Sequence, residues 1–132
     1  MQVEFRRTGR RLLLDILILR PDPPTDLESR TVRALVDTGA SSTGIARNVA
    51  RQLDLPSIGK EPISTAGGIL QSERYLFRVG LPVRGSFAYI FDDITGFELI
   101  DNEAFGAVLG MDVLSRCDFH VSRNGLCTLL LA

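Results

Sequence analysis

Tryptophan is absent from the 132 residues, and cysteine, methionine, histidine and lysine are scarce: two, two, one and one. Two cysteines, Cys117 and Cys127, cannot form a disulfide framework. If Asn124-Gly125 makes a two-residue hairpin turn, Cys127 faces Ser122 and Cys117 points to the other side of the sheet. Two free thiols in a reducing, cytoplasmic compartment are therefore expected. A single histidine, His120, has no second histidine for a metal and no serine-centred motif beside it, so a half-buried strand position is expected for it. Neither a metal nor an organic cofactor is implied. The longest apolar run, Leu12 to Leu19, is interrupted by Asp15 and is too short to span a bilayer, and Glu4 and Asp15 break any export-type apolar segment.

Net charge is also missing, at −1, which gives no overall pull towards nucleic acid. Fourteen arginines are spread among acidic residues, and the cluster Arg6, Arg7, Arg10 and Arg11 reads as a solvated turn. Acidic groups at Asp92-Asp93 and Asp101-Asn102-Glu103 lack the glycine and ligand spacing of a calcium loop, so they too read as solvated turns. What is abundant is apolar residues, 45% of the chain, which excludes a disordered polymer and suits one globular unit over residues 1–132.

Those apolar residues fall in short runs between turn signals: Val3 to Arg6, Arg11 to Leu19, Thr31 to Val36, Tyr75 to Leu81, Ser86 to Phe91, Phe97 to Ile100, Ala107 to Leu109, Phe119 to Ser122 and Leu126 to Leu131. The expected fold is mostly β. Between the second and third runs, "RPDPPTDLES" is a loop, because its prolines cannot join a central ladder. Helical spacing occurs once at length, where Ala46, Val49, Ala50 and Leu53 recur on one face, with Ser42 or Thr43 able to cap the start and Pro56 following the end. A shorter helix is expected over Met111 to Cys117, with Asp112 as a candidate cap.

The stretch "ALVDTGAS" runs from an apolar strand straight into Asp37, Thr38, Gly39, Ala40 and Ser41. Glycine permits a tight turn and close approach of another backbone, and its N–H can donate to the carboxylate. The threonine hydroxyl can lock the loop, and the small residues leave room for a ligand. An Asx-type turn closing a strand is the plain alternative. About seventy residues later comes "AVLGMDVL", an apolar-apolar-glycine element leading into a short helix.

With these two elements in this order, Val36 to Ser41 and Val108 to Leu114, the sequence resembles the retropepsin-like, single-lobe aspartic peptidases, in particular their bacterial and cellular branch. The resemblance runs from about Leu12 to the C-terminus. It implies a closed, barrel-like β lobe that supplies one aspartate, Asp37, to a site completed at the two-fold axis of a homodimer acting on extended polypeptides. Thr38 would then bond across the axis to the other chain's loop, Gly39 would complete the catalytic triplet, and Ala40 and Ser41 would border the substrate. Val108, Leu109, Gly110 and Asp112 would support the loop from beneath. The tip Ala66, Gly67, Gly68 and Ile69 of "PISTAGGILQSERYLF" would be a flap closing over substrate; an ordinary Gly-Gly hairpin turn also accounts for it.

The chemistry fits such a pair independently. One carboxylate cannot act at the same moment as base towards water and as acid towards a carbonyl, whereas two can. Two carboxyl groups about 3 Å apart cannot both ionise and so share a proton, for which aspartic proteases are the standard instance.

Two positions depart from the viral pattern. An acidic residue after Asp-Thr-Gly-Ala and an arginine after the second glycine are replaced by Ser41 and Met111. Both halves of that ion pair are gone together, so no lone charge is left. Viral chain ends interleave into a sheet between protomers; "GLCTLLLA" is apolar enough to do so and equally suits an internal strand. A dimeric peptide-binding or assembly domain without catalysis is the alternative function.

Overall fold

The computed structural model describes residues 1–100 and 104–131. The acidic stretch Asp101-Asn102-Glu103 lies outside the described residues. Among the described residues ten strands and two short helices follow in order: β1 (Gln2–Arg6), β2 (Leu13–Leu19), β3 (Ser29–Val36), β4 (Gly44–Ala46), α1 (Arg47–Gln52), β5 (Ser57–Thr65), β6 (Gly68–Leu81), β7 (Tyr89–Leu99), β8 (Ala107–Leu109), α2 (Met111–Leu114), β9 (Asp118–Val121) and β10 (Leu126–Leu130).

Alternation sets the inward faces. Leu14, Ile16 and Ile18 of β2 are buried while Asp15 faces solvent and meets Arg33 at 3.5 Å. Phe77 and Val79 of β6 join them in one core with Ala34, Ile45 and Leu109. The strands run β2-β3-β8-β4-β7-β6-β5, and an extra pairing of β2 with β6, Leu17 opposite Gly80, closes six of them into a barrel. The closed, mostly β architecture with two short helices is the one expected. A separate three-stranded sheet, in order β1-β10-β9, packs its apolar face on the same core through Val3 and Leu129. The C-terminal strand β10 is thus internal, paired on one side with β1 and on the other with β9.

Several expectations need correction. Helical spacing near residue 46 is real, with Val49, Ala50 and Leu53 buried, but the helix starts only at Arg47 and Ala46 is its N-cap. Gly44–Ala46 instead forms β4, wedged parallel to β7 and antiparallel to β8, so Ser42 and Thr43 cap nothing. A Cβ at Gly44 would lie 2.7 Å from the Phe97 ring, so only glycine lets this strand close the barrel. The two runs Ser86 to Phe91 and Phe97 to Ile100 are one long strand, β7. Asp92-Asp93 is not a turn: it sits in a bulge of β7 where Phe77 opposes Ile94 and Val79 opposes Phe91, with Asp93 at φ +55°.

Strand β5 has no alternation to mark it in the sequence, because residues 57–64 are almost wholly exposed and include Pro62, which an edge strand tolerates. The β9–β10 turn spans three residues, so Cys127 faces Val121 rather than Ser122. Both cysteines are nonetheless free, and burial pushes their thiols above the ordinary value. His120 is exposed rather than half-buried. Helix α2 ends at Leu114, three residues before the expected Cys117.

The proline loop before β3 has an unexpected anchor. Arg78 is 2% exposed, and its guanidinium donates to the carbonyls of Arg20 (2.6 Å), Asp26 (2.5 Å), Pro24 (3.3 Å) and Pro23 (3.5 Å). A cation is tolerated there because every bond it makes ends on a backbone oxygen.

Candidate active site

Asp37 follows the last residue of β3, where the chain leaves the barrel. Its N–H donates to Leu109 O at 3.0 Å, extending the parallel β3–β8 pairing by one bond. Its half-buried carboxylate accepts the Gly39 N–H through Oδ1 at 2.8 Å, and its carbonyl accepts the Ala40 N–H at 3.2 Å. Thr38 is exposed, and its hydroxyl has no hydrogen bond among the described residues.

The loop is held from behind by the second motif. Met111 N–H donates to Ala40 O at 2.8 Å. A Cβ on Gly110 would stand 2.6 Å from the Ser42 carbonyl and 2.9 Å from Ala40 O, so the two loops touch only because residue 110 has no side chain. The fully buried Thr43 completes the junction. Its N–H and hydroxyl donate to Asp112 Oδ2 and Oδ1 at 2.9 and 2.8 Å, and the same hydroxyl accepts the Gly110 N–H at 3.2 Å. Asp112 also accepts the Val113 N–H at 3.0 Å. Asp112 is therefore not the N-cap of α2, which is Gly110 and makes no side-chain cap bond. It is a clamp across 69 positions of sequence.

A cleft of about 690 Å³ opens over Asp37. Leu35 and Val108 line it beside the carboxylate, Phe97 and Leu99 form one wall, and Ile63 and Leu70 come from the arms of the β5–β6 hairpin. The hairpin turns tightly at Ala66-Gly67, with Thr65 opposite Gly68 and Gly68 at φ +116°, a conformation that favours glycine. Its tip, Ala66 to Ile69, is exposed and stands outside the cleft lining, as do Ala40 and Ser41.

The architecture so built, an Asp-Thr-Gly loop rising from a closed barrel and pinned by an apolar-apolar-glycine strand, coincides with a family model described as "gag-polyprotein putative aspartyl protease", which matches residues 24–116. The chain belongs to this aspartyl protease family. Its fold is that of a retropepsin-like protein from Rickettsia conorii, whose crystal structure superposes with a TM-score of 0.66 at 21% identity, covering 98% of this chain and 89% of that one. The EIAV protease, solved with the inhibitor HBY-793, superposes with a TM-score of 0.54 at 16% identity, covering 81% and 88%. Among curated proteins none matches the chain.

Within this family frame, Ser41 is exposed and Met111 is 38% exposed, with no ion pair at either position among the described residues. Where the viral pattern has that pair, this chain has the Thr43–Asp112 clamp close by. A cluster that the sequence reading passed over closes the cleft's polar end. Arg47 donates from Nε and Nη2 to Glu98 Oε1 at 2.9 and 2.6 Å, while the Tyr75 hydroxyl donates to Oε2 at 2.6 Å. Hydrogen bonding to Arg47 holds the Glu98 carboxyl below its ordinary range, and burial followed by the Glu98 bond pushes the Tyr75 hydroxyl up to about 12. No residue spacing signals this triad, because its members come from α1, β6 and β7 and meet only through barrel closure.

Proposed function

We propose that the protein is an aspartic endopeptidase, active as a homodimer in which each chain supplies one Asp37. The observation that carries the reading is the position of that carboxylate: half-exposed beside a mostly apolar cleft, on a loop clamped from below by residues 109–112. Family membership and fold support it.

In the dimer the two Asp37 carboxyls share a proton. The ionised one takes a proton from the lytic water, and the protonated one donates to the scissile carbonyl as the tetrahedral centre forms. Gly39 N–H fixes the orientation of its own Asp37 in each chain. The unpartnered Thr38 hydroxyl is available to the opposite loop. An extended polypeptide lies as an added strand between the Asp37 loop and the β5–β6 hairpin, its apolar side chains entering the cleft between Leu35, Phe97 and Leu70. The hairpin tip, Ala66 to Ile69, closes over it, with glycines giving the tip its mobility. Two free thiols suit a reducing compartment such as the cytoplasm, and among the described residues no helix is long and apolar enough to cross a membrane.

Asp37→Asn tests this. The substitution keeps the shape of the side chain and the acceptor for Gly39, so the dimer should persist by sedimentation while peptide cleavage is abolished. Cleavage that survives would remove the proposal. The ion-pair positions held by Ser41 and Met111 favour the alternative of a peptide-binding domain without catalysis. A statine peptide separates the two, because only a poised acid pair binds it far more tightly than the plain peptide.

A further inference from the structure

The cleft over Asp37 is uneven in charge. Among the described residues the charged groups on its wall are Asp37, Arg47 and Glu98. Beside Asp37 the wall is made of Leu35 and Val108, and an acid brought there would face the Asp37 carboxyl with little water between them. The end closed by Arg47 and Glu98 is different.

Those two form an ion pair whose halves are not equivalent. Glu98 is the inner half. Its side chain is 13% exposed, its Oε1 accepts both Arg47 donors, and its Oε2 accepts the hydroxyl of the buried Tyr75 at 2.6 Å. Its N–H donates to the buried Ser72 hydroxyl at 3.1 Å, so main chain and side chain are both held. Arg47 is the outer half, with 55% of its side chain exposed. The Nε and Nη2 edge lies on Glu98 Oε1, which sets the plane of the guanidinium before anything binds.

This asymmetry decides the sign of the ligand. A cationic side chain would meet the guanidinium first and could reach Glu98 only by displacing Arg47 or Tyr75. An anionic one meets the exposed cation directly and leaves the bonds to Glu98 in place. Arg51, one turn further along α1, adds positive charge that is felt at Glu98. Glu73 is the other acid whose field reaches the cluster, but it is bonded to Ser57 of the edge strand at 2.6 Å and is not part of the cleft wall. An ordinary surface ion pair keeps both partners wet. Here the acid is turned inward as a support and the base faces the cleft.

We propose that Arg47 is the specificity-determining residue of an acid-selective subsite, which takes a glutamate or aspartate side chain of the bound polypeptide, with Glu98 and Tyr75 as positioning residues for its guanidinium. This rests on the reading above, in which the cleft holds an extended polypeptide. Every second side chain of such a strand faces the same wall, so one peptide can place an apolar group beside Phe97 and an acid at Arg47. The substrates are then mixed apolar and acidic segments rather than uniformly apolar ones.

The test uses labelled peptides of apolar sequence that carry Glu, Gln or Lys at each position in turn, at about pH 6, where a substrate glutamate is ionised. At one position Glu should be preferred over Gln by about tenfold in kcat/KM, with Lys the poorest of the three, and the preference should shrink as salt is raised. In Arg47→Met the Glu-to-Gln ratio should fall to about one, while Arg47→Lys, which keeps a cation without the planar fork, should retain part of it. The subsite is overturned if no position prefers Glu over Gln, if Lys is preferred instead, or if Arg47→Met discriminates as the parent does. Binding of the same peptides, read by fluorescence anisotropy on the Asp37→Asn chain, does not depend on cleavage. Tighter binding of the Glu peptide that is lost with Arg47→Met, in a protein that cuts nothing, leaves the subsite standing and removes the peptidase. Cleavage blind to the charge does the reverse, and peptides neither bound nor cut remove both.

Discussion

Replacing Thr43 by valine keeps the volume of the side chain and deletes one atom from the clamp behind Asp37. The lost hydroxyl donates to Asp112 Oδ1 at 2.8 Å and accepts the buried Gly110 N–H at 3.2 Å. A hydrogen bond to a charged group contributes about 1.5–3 kcal/mol, and a buried N–H left unpaired costs about 1–3 kcal/mol, so the expected loss is about 3 kcal/mol. Asp112→Ala removes the two bonds from Thr43 and one from Val113, for a loss of about 3–4 kcal/mol. The two single losses share the hydroxyl–carboxylate bond, so the double variant should fall short of their sum by about 1.5–3 kcal/mol. Urea unfolding at one fixed protein concentration reads all four chains. With a slope of about 1.5 kcal/mol per molar, each single change moves the midpoint down by about 2 M. Additivity within about 0.5 kcal/mol would refute the clamp as a direct coupling between the two motifs. Thr43→Ser, which keeps the hydroxyl, should recover most of the loss.

Arg78→Met replaces a buried guanidinium with an apolar chain and takes its bonds from four loop carbonyls, of which Pro23 O keeps the Asp26 N–H at 2.9 Å. Because that loop can turn to water, the expected loss is about 2–3 kcal/mol, with early proteolytic cutting between residues 20 and 28; a melt and cleavage pattern like the parent's would contradict the anchor. The Tyr75–Glu98–Arg47 cluster sets two pH limbs. Tyr75 has its folded pKa raised from 10.0 to about 12, so its contribution is complete below pH 10 and is lost as pH rises from there to about 12. Glu98 is lowered from 4.5, so its contribution is present above that value and is lost as pH falls through the lower folded value. Melting temperature against pH should lose part of its alkaline slope in Tyr75→Phe and part of its acid slope in Arg47→Met; unchanged slopes would show that the cluster is not coupled to folding.

The Asp37 loop and its supporting strand were legible in the sequence because each is a contiguous run whose residue types answer a local need: a turn, a donor, an absent side chain. The barrel was legible because its strands alternate. What escaped were features made by distant residues meeting. Thr43 resembled a helix cap because hydroxyls commonly are, and only β4, held between β7 and β8, turns it towards Asp112. Strand β5 escaped because a nearly all-exposed edge has no buried face to alternate. Asp92-Asp93 looked like a turn between two runs; in fact a bulge absorbs it within β7, where Gly96 is required since a Cβ there would meet the Phe77 ring at 2.5 Å. Arg78 sits among apolar neighbours in a strand, and nothing local shows that a proline loop folds over it.

The Asp37 peptide is finished by Leu109, and β3 finds its parallel neighbour only in residues 107–109. During synthesis, then, the aspartate leaves the ribosome long before the strand that seats it. Residues up to 109 must emerge before the loop can hold its shape. A chain made only as far as residue 106 carries the carboxylate without its mounting, and the order of the strands itself delays the seating of that loop.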